Sequence, residues 1–214
     1  MRFRLMPTPA QEAALLVACG HARFVWNLAL EQWNFWQPGK WAPGYAELNR
    51  QLTELRAAES WLAEGSSIVQ QQALRDFDQA KRNFFGGTHR RPRWRKREQD
   101  EGFRIVGVEP THVRRLSRHW GHVFVPKIGW LRFRWSRAIP DDVKSYRVTL
   151  DAAGRWRVAF AVMPLTIEGP GTGEMVGLDR GVAVSVMTSD GEACHAPTLR
   201  PKEAERLLLL QRQL

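Results

Sequence analysis

The chain has 214 residues, of which 43% are apolar, so it can bury the core of one large domain or of two small ones. It carries 32 Lys and Arg against 22 acidic residues, and this net charge of +10 indicates a polyanionic partner such as nucleic acid. Cys19 and Cys194 are too few for a disulfide scaffold or a zinc ribbon and no apolar run reaches about 18 residues, so we expect a soluble, cytoplasmic protein with neither zinc nor a membrane span.

The chain is predicted to begin with a short strand and a long helix. Residues 2–5 alternate polar and apolar side chains, as a half-buried strand does. Thr8 and Gln11 have the spacing of a capping box, which predicts a helix from there to about residue 36. Tryptophans on one face of this helix, such as Trp26, are more typical of a core than of a base-stacking surface.

Two further helices complete a predicted helical lobe. One is expected at about 45–62, from its regularly spaced leucines. The other should begin at a second capping box, Ser67 to Gln70, and end at the glycines at 86–87. We therefore divide the first part of the chain into a strand over 1–8 and a helical lobe over 9–88.

The middle of the chain is predicted to be β-rich, after a basic linker over 89–102. Strand-like segments recur at short spacing, and residues 151–154 are suited to a hairpin turn. The segments lie at 103–108, 120–125, 130–135, 146–150 and 156–162. Short strands at this spacing indicate a small β-barrel, which we place at 103–168.

The last part of the chain, 169–214, is predicted to contain a hairpin and a helix. A linker rich in Gly and Pro, 165–173, leads into an apolar run that ends on Asp179. A second β-branched run follows and closes at an Asp-Gly turn, and a final helix is expected over 201–214. The first run is apolar on both faces, as in a central strand.

Asp179 is the candidate catalytic and metal-binding residue. A carboxylate at the end of a buried strand needs a partner, because burial of a lone charge is costly. Two partners are open from the residues alone, Mg²⁺ or an arginine such as Arg180. Hydrolysis of a phosphodiester by two metal ions requires several carboxylates. Only four acids follow Asp179, at 190, 192, 203 and 205, and none has the context of a second ligand.

Residues 90–97, here called the basic segment, are the clearest nucleic-acid signal. Six cations stand in eight positions with no acid between them. The candidate binding residues are Arg90, Arg91, Arg93, Trp94, Arg95, Lys96 and Arg97. Arginines can hold phosphates while the tryptophan ring stacks on a base. The alternative for this segment is a solvated loop of an ordinary basic protein. For the excess of arginine over lysine in the whole chain, the alternative is a GC-rich genome that favours arginine codons.

A second basic region follows between residues 110 and 140, which contain no acid. Arginines alternate with apolar residues over 131–135, so Arg132 and Arg134 should share one face of a strand. Together with Lys127 they are the candidate binding residues of the β-rich part. This signal is the more structured of the two.

Several segments, taken in order, resemble one known family, the TnpB proteins. These are accessory transposases and RNA-guided nucleases of small bacterial insertion sequences. The matching segments are residues 2–11, 22–30, 84–85, 92–96, 125–131 and 176–182. Each is weak alone, and their common order makes the resemblance to the N-terminal half of a TnpB protein specific.

The resemblance implies an α+β fold. A helical recognition lobe would be inserted into a small wedge β-barrel, followed by the first part of a RuvC-like domain of RNase H topology. It also implies that Asp179 is the first of three catalytic acids and binds Mg²⁺. Guide RNA and target DNA would be the partners, together with a partner transposase of the same element. The family's second and third acids and its zinc ribbon have no counterpart in this sequence.

Three hypotheses follow. The first is the N-terminal part of an RNA-guided, Mg²⁺-dependent DNA endonuclease linked to transposition, which does not cleave as this isolated chain. The second is a nuclease-dead, RNA-guided DNA-binding regulator. The third is a non-functional, truncated transposase remnant.

Overall fold

 The computed structural model describes residues 1–35, 37, 43–99, 101–163, 173, 175–196 and 199–211. The chain forms two compact units, Met1–Pro164 and Leu165–Leu214, here called the first and second units. Residues 165–172 of the predicted linker lie outside the described residues, as does Trp36 at the predicted end of the first helix.

The described residues of the first unit form four α-helices, which follow the first strand. They are α1 (Pro9–Asn34), α2 (Tyr45–Ala58), α3 (Ser60–Glu64) and α4 (Ser67–Phe85). The capping box at the start of α1 is confirmed, because the Thr8 hydroxyl accepts from the Gln11 N–H and the Gln11 side chain accepts from the Thr8 N–H. The single helix expected at 45–62 is interrupted at Glu59, which has an extended backbone.

The second predicted capping box is wrong. Ser66, not Ser67, is the N-cap of α4, and its side chain makes no capping hydrogen bond. Gln70 is instead buried, and its side-chain amide donates to the Leu62 carbonyl at 2.8 Å. The Gln70 side chain, which the sequence pattern assigned to a capping box at the start of α4, therefore binds the Leu62 carbonyl of α3 instead.

In the part of the first unit that the structure describes, the strands form two antiparallel sheets. The strands are β1 (Arg2–Arg4), β2 (Gly102–Val106), β3 (Val113–Arg115), β4 (Trp120–Val125), β5 (Gly129–Arg134), β6 (Ser145–Leu150) and β7 (Trp156–Phe160). One sheet has the order β1-β7-β6-β2 and the other β3-β4-β5. A short 3-10 helix, Pro110–His112, precedes β3. The predicted hairpin at 151–154 is confirmed as the β6–β7 turn.

The chain after β1 joins the two sheets. The Leu5 N–H donates to the Trp156 carbonyl at 2.9 Å, and the Met6 N–H donates to the Arg132 carbonyl at 2.7 Å. The mixed α+β class is therefore confirmed, but the strands of the described residues do not close into the barrel that we expected. The outer strands β2 and β3 are not paired with each other, so the sheet stays open there.

The core of the first unit lies between these sheets and the helices. Phe133 is fully buried, and its ring lies 5.4 Å from that of Phe3 and 5.7 Å from that of Phe160. Among the helices, the buried ring of Trp26 lies 5.4 Å from that of Phe77. The expectation that the tryptophan face of α1 belongs to the core is thus confirmed.

By length and composition alone, α1 could cross a membrane. Its apolar face instead packs inside the protein, since Leu15, Trp26 and Leu30 are buried in the core of the first unit. This is the usual arrangement of a core helix in a soluble protein.

The second unit consists of short elements. They are β8 (Leu178–Asp179), β9 (Val186–Thr188), β10 (Ala193–Cys194) and α5 (Pro201–Gln211). The strands form an antiparallel sheet of order β10-β9-β8, so β8 is an edge strand. The prediction that a central, buried strand ends at Asp179 is therefore wrong. Leu178 is 68% exposed, and Met175 is 95% exposed.

Candidate nucleic-acid interface

The outward side of the sheet β3-β4-β5, here called the sheet face, gathers arginine and aromatic side chains. Along β4 and β5 every second residue points into the core, as for the fully buried Val123 and Leu131. The alternate residues point outwards and are arranged in rows across the strands. The central row is Arg114, His122 and Arg132, which pair directly by strand register.

Aromatic residues flank this central row on both sides. In one neighbouring row Phe124 pairs with Trp130, and in the other Trp120 pairs with Arg134. The Arg114 guanidinium lies 4.1 Å from the centre of the Trp130 ring, and the Arg132 guanidinium lies 4.1 Å from that of Trp120. The sheet face therefore consists of preformed stacks of arginine on tryptophan.

No acidic residue interrupts this face, since residues 110–140 contain none. Arg114, Arg132 and Arg134 are exposed, and of the Arg114 guanidinium the Nε–H donates to the Thr111 carbonyl at 3.2 Å. A guanidinium that lies on an aromatic ring can still donate in its plane to a phosphate. The face thus offers both phosphate-binding charge and ring surface.

Lys127 does not belong to the sheet face. It lies in the turn between β4 and β5, in the left-handed backbone region with φ of 71°. Together with Pro126 and Ile128 it lines a groove of about 510 Å³, whose other wall comes from α1 and from residues near α3, including Trp61. The structure therefore separates Lys127 from Arg132 and Arg134, with which the sequence grouped it.

The basic segment is attached along α1 through its backbone. The Asn27 amide donates to the Arg95 carbonyl at 3.1 Å and accepts from the Arg95 N–H at 2.9 Å. The Trp26 indole N–H donates to the Arg93 carbonyl at 3.0 Å. These contacts give the segment a fixed course, although it forms neither helix nor strand.

The side chains of the basic segment divide into two groups. Arg95 points inwards, with its guanidinium 3.9 Å from the centre of the Trp26 ring and its side chain only 17% exposed. Arg91 lies 4.8 Å from the Trp33 ring and donates to the Asn34 side chain at 3.0 Å. Arg91 is nevertheless exposed, as are the remaining candidates: Arg90, Arg93, Trp94, Lys96 and Arg97.

Arg95 belongs to a cluster of arginines around Asp76 of α4. The Arg147 guanidinium lies 2.7 Å from the Asp76 carboxylate, that of Arg104 lies at 3.8 Å, and that of Arg95 lies at 4.0 Å. Three arginines from three parts of the chain therefore share one carboxylate that is 16% exposed. The cluster connects α4 to the four-stranded sheet and to the basic segment.

Asp179 lies in the second unit, at the end of the exposed edge strand β8. It pairs by register with Met187 of β9. Among the described residues, no three His, Cys, Asp or Glu side chains come together as metal ligands would. The residues described thus supply one candidate Mg²⁺ ligand and do not form a complete magnesium site.

Sequence reasoning missed Trp120, Trp130 and His122 as parts of an interface. Their alternation within predicted strands was visible, since the outward positions of β4 are Trp120, His122 and Phe124. What the sequence did not contain was the register that places these residues beside Arg114 and Arg132. That register would have been needed to recognise the rows.

The chain is similar to known proteins over its whole length. Residues 1–37 match the helix-turn-helix domain model of OrfB proteins of the IS605 type, HTH_OrfB_IS605, although the described residues there form one strand and one continuous helix. The whole chain is 33% identical to InsQ of Escherichia coli (strain K12), which is named as a candidate RNA-guided DNA endonuclease, and covers 52% of it. It is 31% identical to a similarly named protein of Streptomyces pristinaespiralis and covers 53% of that protein. The chain spans about half the length of these curated relatives.

Proposed function

The chain belongs to the TnpB family, and from this premise we propose that it is the nucleic-acid-binding part of an RNA-guided DNA endonuclease linked to transposition. Its partners would be a guide RNA and target DNA in the bacterial cytoplasm, with a transposase of the same element as a further partner. In this proposal the helices form the recognition lobe, the open sheets form the wedge, and the second unit is the start of a RuvC-like domain.

The observation that carries the proposal is the acid-free sheet face with its stacks of arginine on tryptophan. The phosphates and bases of nucleic acid suit such a surface. Phosphates neutralise the mutual repulsion of arginines that have no acid among them, and bases stack on the aromatic rings. The exposed arginines of the basic segment, such as Arg93 and Arg97, would add further phosphate contacts. The relatives' names support nucleic acid as the ligand.

We assign no cleavage step to the residues described. Resemblance to the family supports Asp179 as one ligand of Mg²⁺, but hydrolysis by two metal ions needs several carboxylates. We therefore expect no cleavage of a supercoiled target by these 214 residues, even with Mg²⁺ and guide RNA present. Cutting that disappears in Asp179→Ala would contradict this.

The binding proposal can be tested by expressing the chain together with the DNA that flanks its gene. RNA that copurifies with the chain is sequenced and mapped. We expect reads that map to the end of the element, and we expect Arg132→Gln/Arg134→Gln to recover much less of this RNA. Recovery of host RNA alone, at equal amounts from both proteins, would contradict the proposal.

A second candidate function is a regulator that binds DNA under RNA guidance and does not cut it. The exposed position of Asp179, which belongs to no group of three or more potential metal ligands among the described residues, favours it. In cells it predicts occupancy of a target without cleavage. The third hypothesis, a non-functional remnant, predicts poor soluble expression, and the exposed apolar residues of the second unit are the observation in its favour.

A further inference from the structure

The sheet face distinguishes between kinds of nucleic acid. Building on the proposed function, we propose that it binds unpaired nucleotides and that Trp120 and Trp130 are its base-stacking residues. The ligand chemistry is a single strand with accessible bases, whether RNA or DNA.

The first argument is the spacing of the rows. Side chains on one face of an antiparallel strand recur every second residue, or about 7 Å. Successive nucleotides of a duplex strand are only about 3.4 Å apart along the helix axis. Trp120 and Trp130 lie two such rows apart, roughly 14 Å along the strands. Neighbouring bases of a stacked strand therefore cannot reach both rings, whereas an extended strand with unstacked bases can place one base on each.

The second argument is the chemistry of the rows. Trp120 and Trp130 lie in the two outer rows, and Arg114, His122 and Arg132 lie between them. Both rings are half-buried, and each already carries a guanidinium 4.1 Å from its centre, Arg114 on Trp130 and Arg132 on Trp120. In this proposal a base stacks on the part of the ring that the arginine leaves open or on the guanidinium plane itself. Aromatic rings that alternate with cations bind bases and backbone together, independently of sequence.

The third argument is the contrast with a duplex. The bases of a duplex are stacked on one another, so half-exposed rings on a flat sheet would gain little from it. Charge alone is sufficient to hold a duplex backbone. The rings of the sheet face would then have no ligand.

The experiment compares three probes by fluorescence anisotropy: a short single-stranded RNA, the DNA strand of the same sequence, and the DNA duplex. We expect Trp120→Ala/Trp130→Ala to weaken single-strand binding by roughly 5- to 150-fold per ring, the range of measured base-stacking losses. Duplex binding should change little. Trp61→Ala removes an exposed tryptophan away from the sheet face and is the matched control.

Trp120→Phe/Trp130→Phe keeps a stacking ring and covers the case in which the alanine pair fails to fold. We expect it to retain most of the single-strand affinity. Equal losses for single strand and duplex, no loss for either, or a loss from the phenylalanine pair as large as from the alanine pair would each overturn the inference. Tighter binding of RNA or of DNA would support it and would identify the strand that it takes.

The two proposals fail differently. If the unmodified chain binds none of the probes, the proposed function is wrong. If it binds all of them and is indifferent to Trp120 and Trp130, only this inference is wrong.

Discussion

The two units differ in both burial and charge. The first contains every buried apolar residue of the described chain, and none of the described residues of the second unit is buried. The first also holds 27 of the 32 basic residues and 15 of the 22 acidic ones, whereas the second has five basic and seven acidic residues. All the positive excess therefore lies in the unit that can form its own core.

This difference shows that a recognisable sequence motif need not lie in a well-packed part of the structure. The segment around Asp179 is the most recognisable part of the sequence, and it lies in the unit with the least packing. An apolar run forms a buried strand only where other elements cover both of its faces. No described residue of the second unit covers Met175 or Leu178, which remain exposed.

The largest expected effect is the dependence of binding on salt. If the first unit contacts six or more phosphates, affinity for nucleic acid should fall by about 10³-fold or more between about 50 and 200 mM salt. Anisotropy titrations with the duplex and the single strands measure this directly. A nearly flat salt dependence would mean that the positive excess of the first unit does not contact phosphate.

Paired substitutions in the two units sharpen this test. Arg93→Gln/Arg97→Gln should reduce the slope of log affinity against log salt by up to about two, because each lost phosphate contact contributes roughly 0.7–0.9. Arg200→Gln/Arg206→Gln removes the same charge from the second unit and should leave the slope unchanged. Equal effects from both pairs would contradict the assignment of binding to the first unit.

The next effect concerns stability. Leu131→Ala in β5 should lower the free energy of unfolding by about 2–5 kcal/mol, because it leaves a cavity in a fully packed core. Leu178→Ala in β8 makes the same change at an exposed position and should cost less than about 0.5 kcal/mol. Urea unfolding followed by far-UV circular dichroism measures both, whereas tryptophan fluorescence would report only on Leu131→Ala, because all ten tryptophans lie in the first unit. A large effect of Leu178→Ala would show that Leu178 is covered in solution.

Local sequence signals predicted the elements well where the signal and the packing agree. The capping box at Thr8 fixed the start of α1, and β4 was predicted to the residue. Ser67 failed because Gln70 is drawn into the buried contact with the Leu62 carbonyl. Glu59 likewise gave no local warning of the break between α2 and α3.

The candidate site was predicted only in part, because its geometry depends on contacts between distant residues. The alternation of Arg132 and Arg134 was visible in the sequence and is confirmed as an exposed face. Arg95 gave no sign that it stacks on Trp26 and turns towards Asp76, which is 19 positions earlier in the chain. A run of basic residues in the sequence indicates a positive charge, but it does not indicate which of these residues form contacts within the protein.

Substitution of Asp76 tests whether these contacts within the protein contribute to stability. Asp76→Asn keeps the shape of the side chain and removes the charge shared by Arg95, Arg104 and Arg147. We expect a loss of about 1–2 kcal/mol in the free energy of unfolding, because the cluster is partly shielded from solvent. Glu54→Gln removes one partner of an exposed pair with Arg50 and should cost less than about 0.5 kcal/mol. Equal small losses would mean that the Asp76 cluster behaves as an ordinary surface pair.

The smallest expected effect is a pH dependence confined to the β6–β7 turn of the first unit. A hydrogen bond from the Arg155 backbone N–H, helped by the Arg157 side chain, lowers the pKa of Asp151 to about 2 from its ordinary value of 3.8. The stability that this carboxylate contributes is therefore fully present above pH 3.8 and is lost as the pH falls through about 2. Asp151→Asn does not titrate, so the difference in Tm between the two proteins should be constant above that window and shrink within it. Asp190→Asn, in the turn between β9 and β10 of the second unit, is the control. It should leave the fluorescence-detected Tm of the first unit unchanged at every pH, and a difference that instead grew on acidification would mean that Asp151 is not held ionised by these contacts.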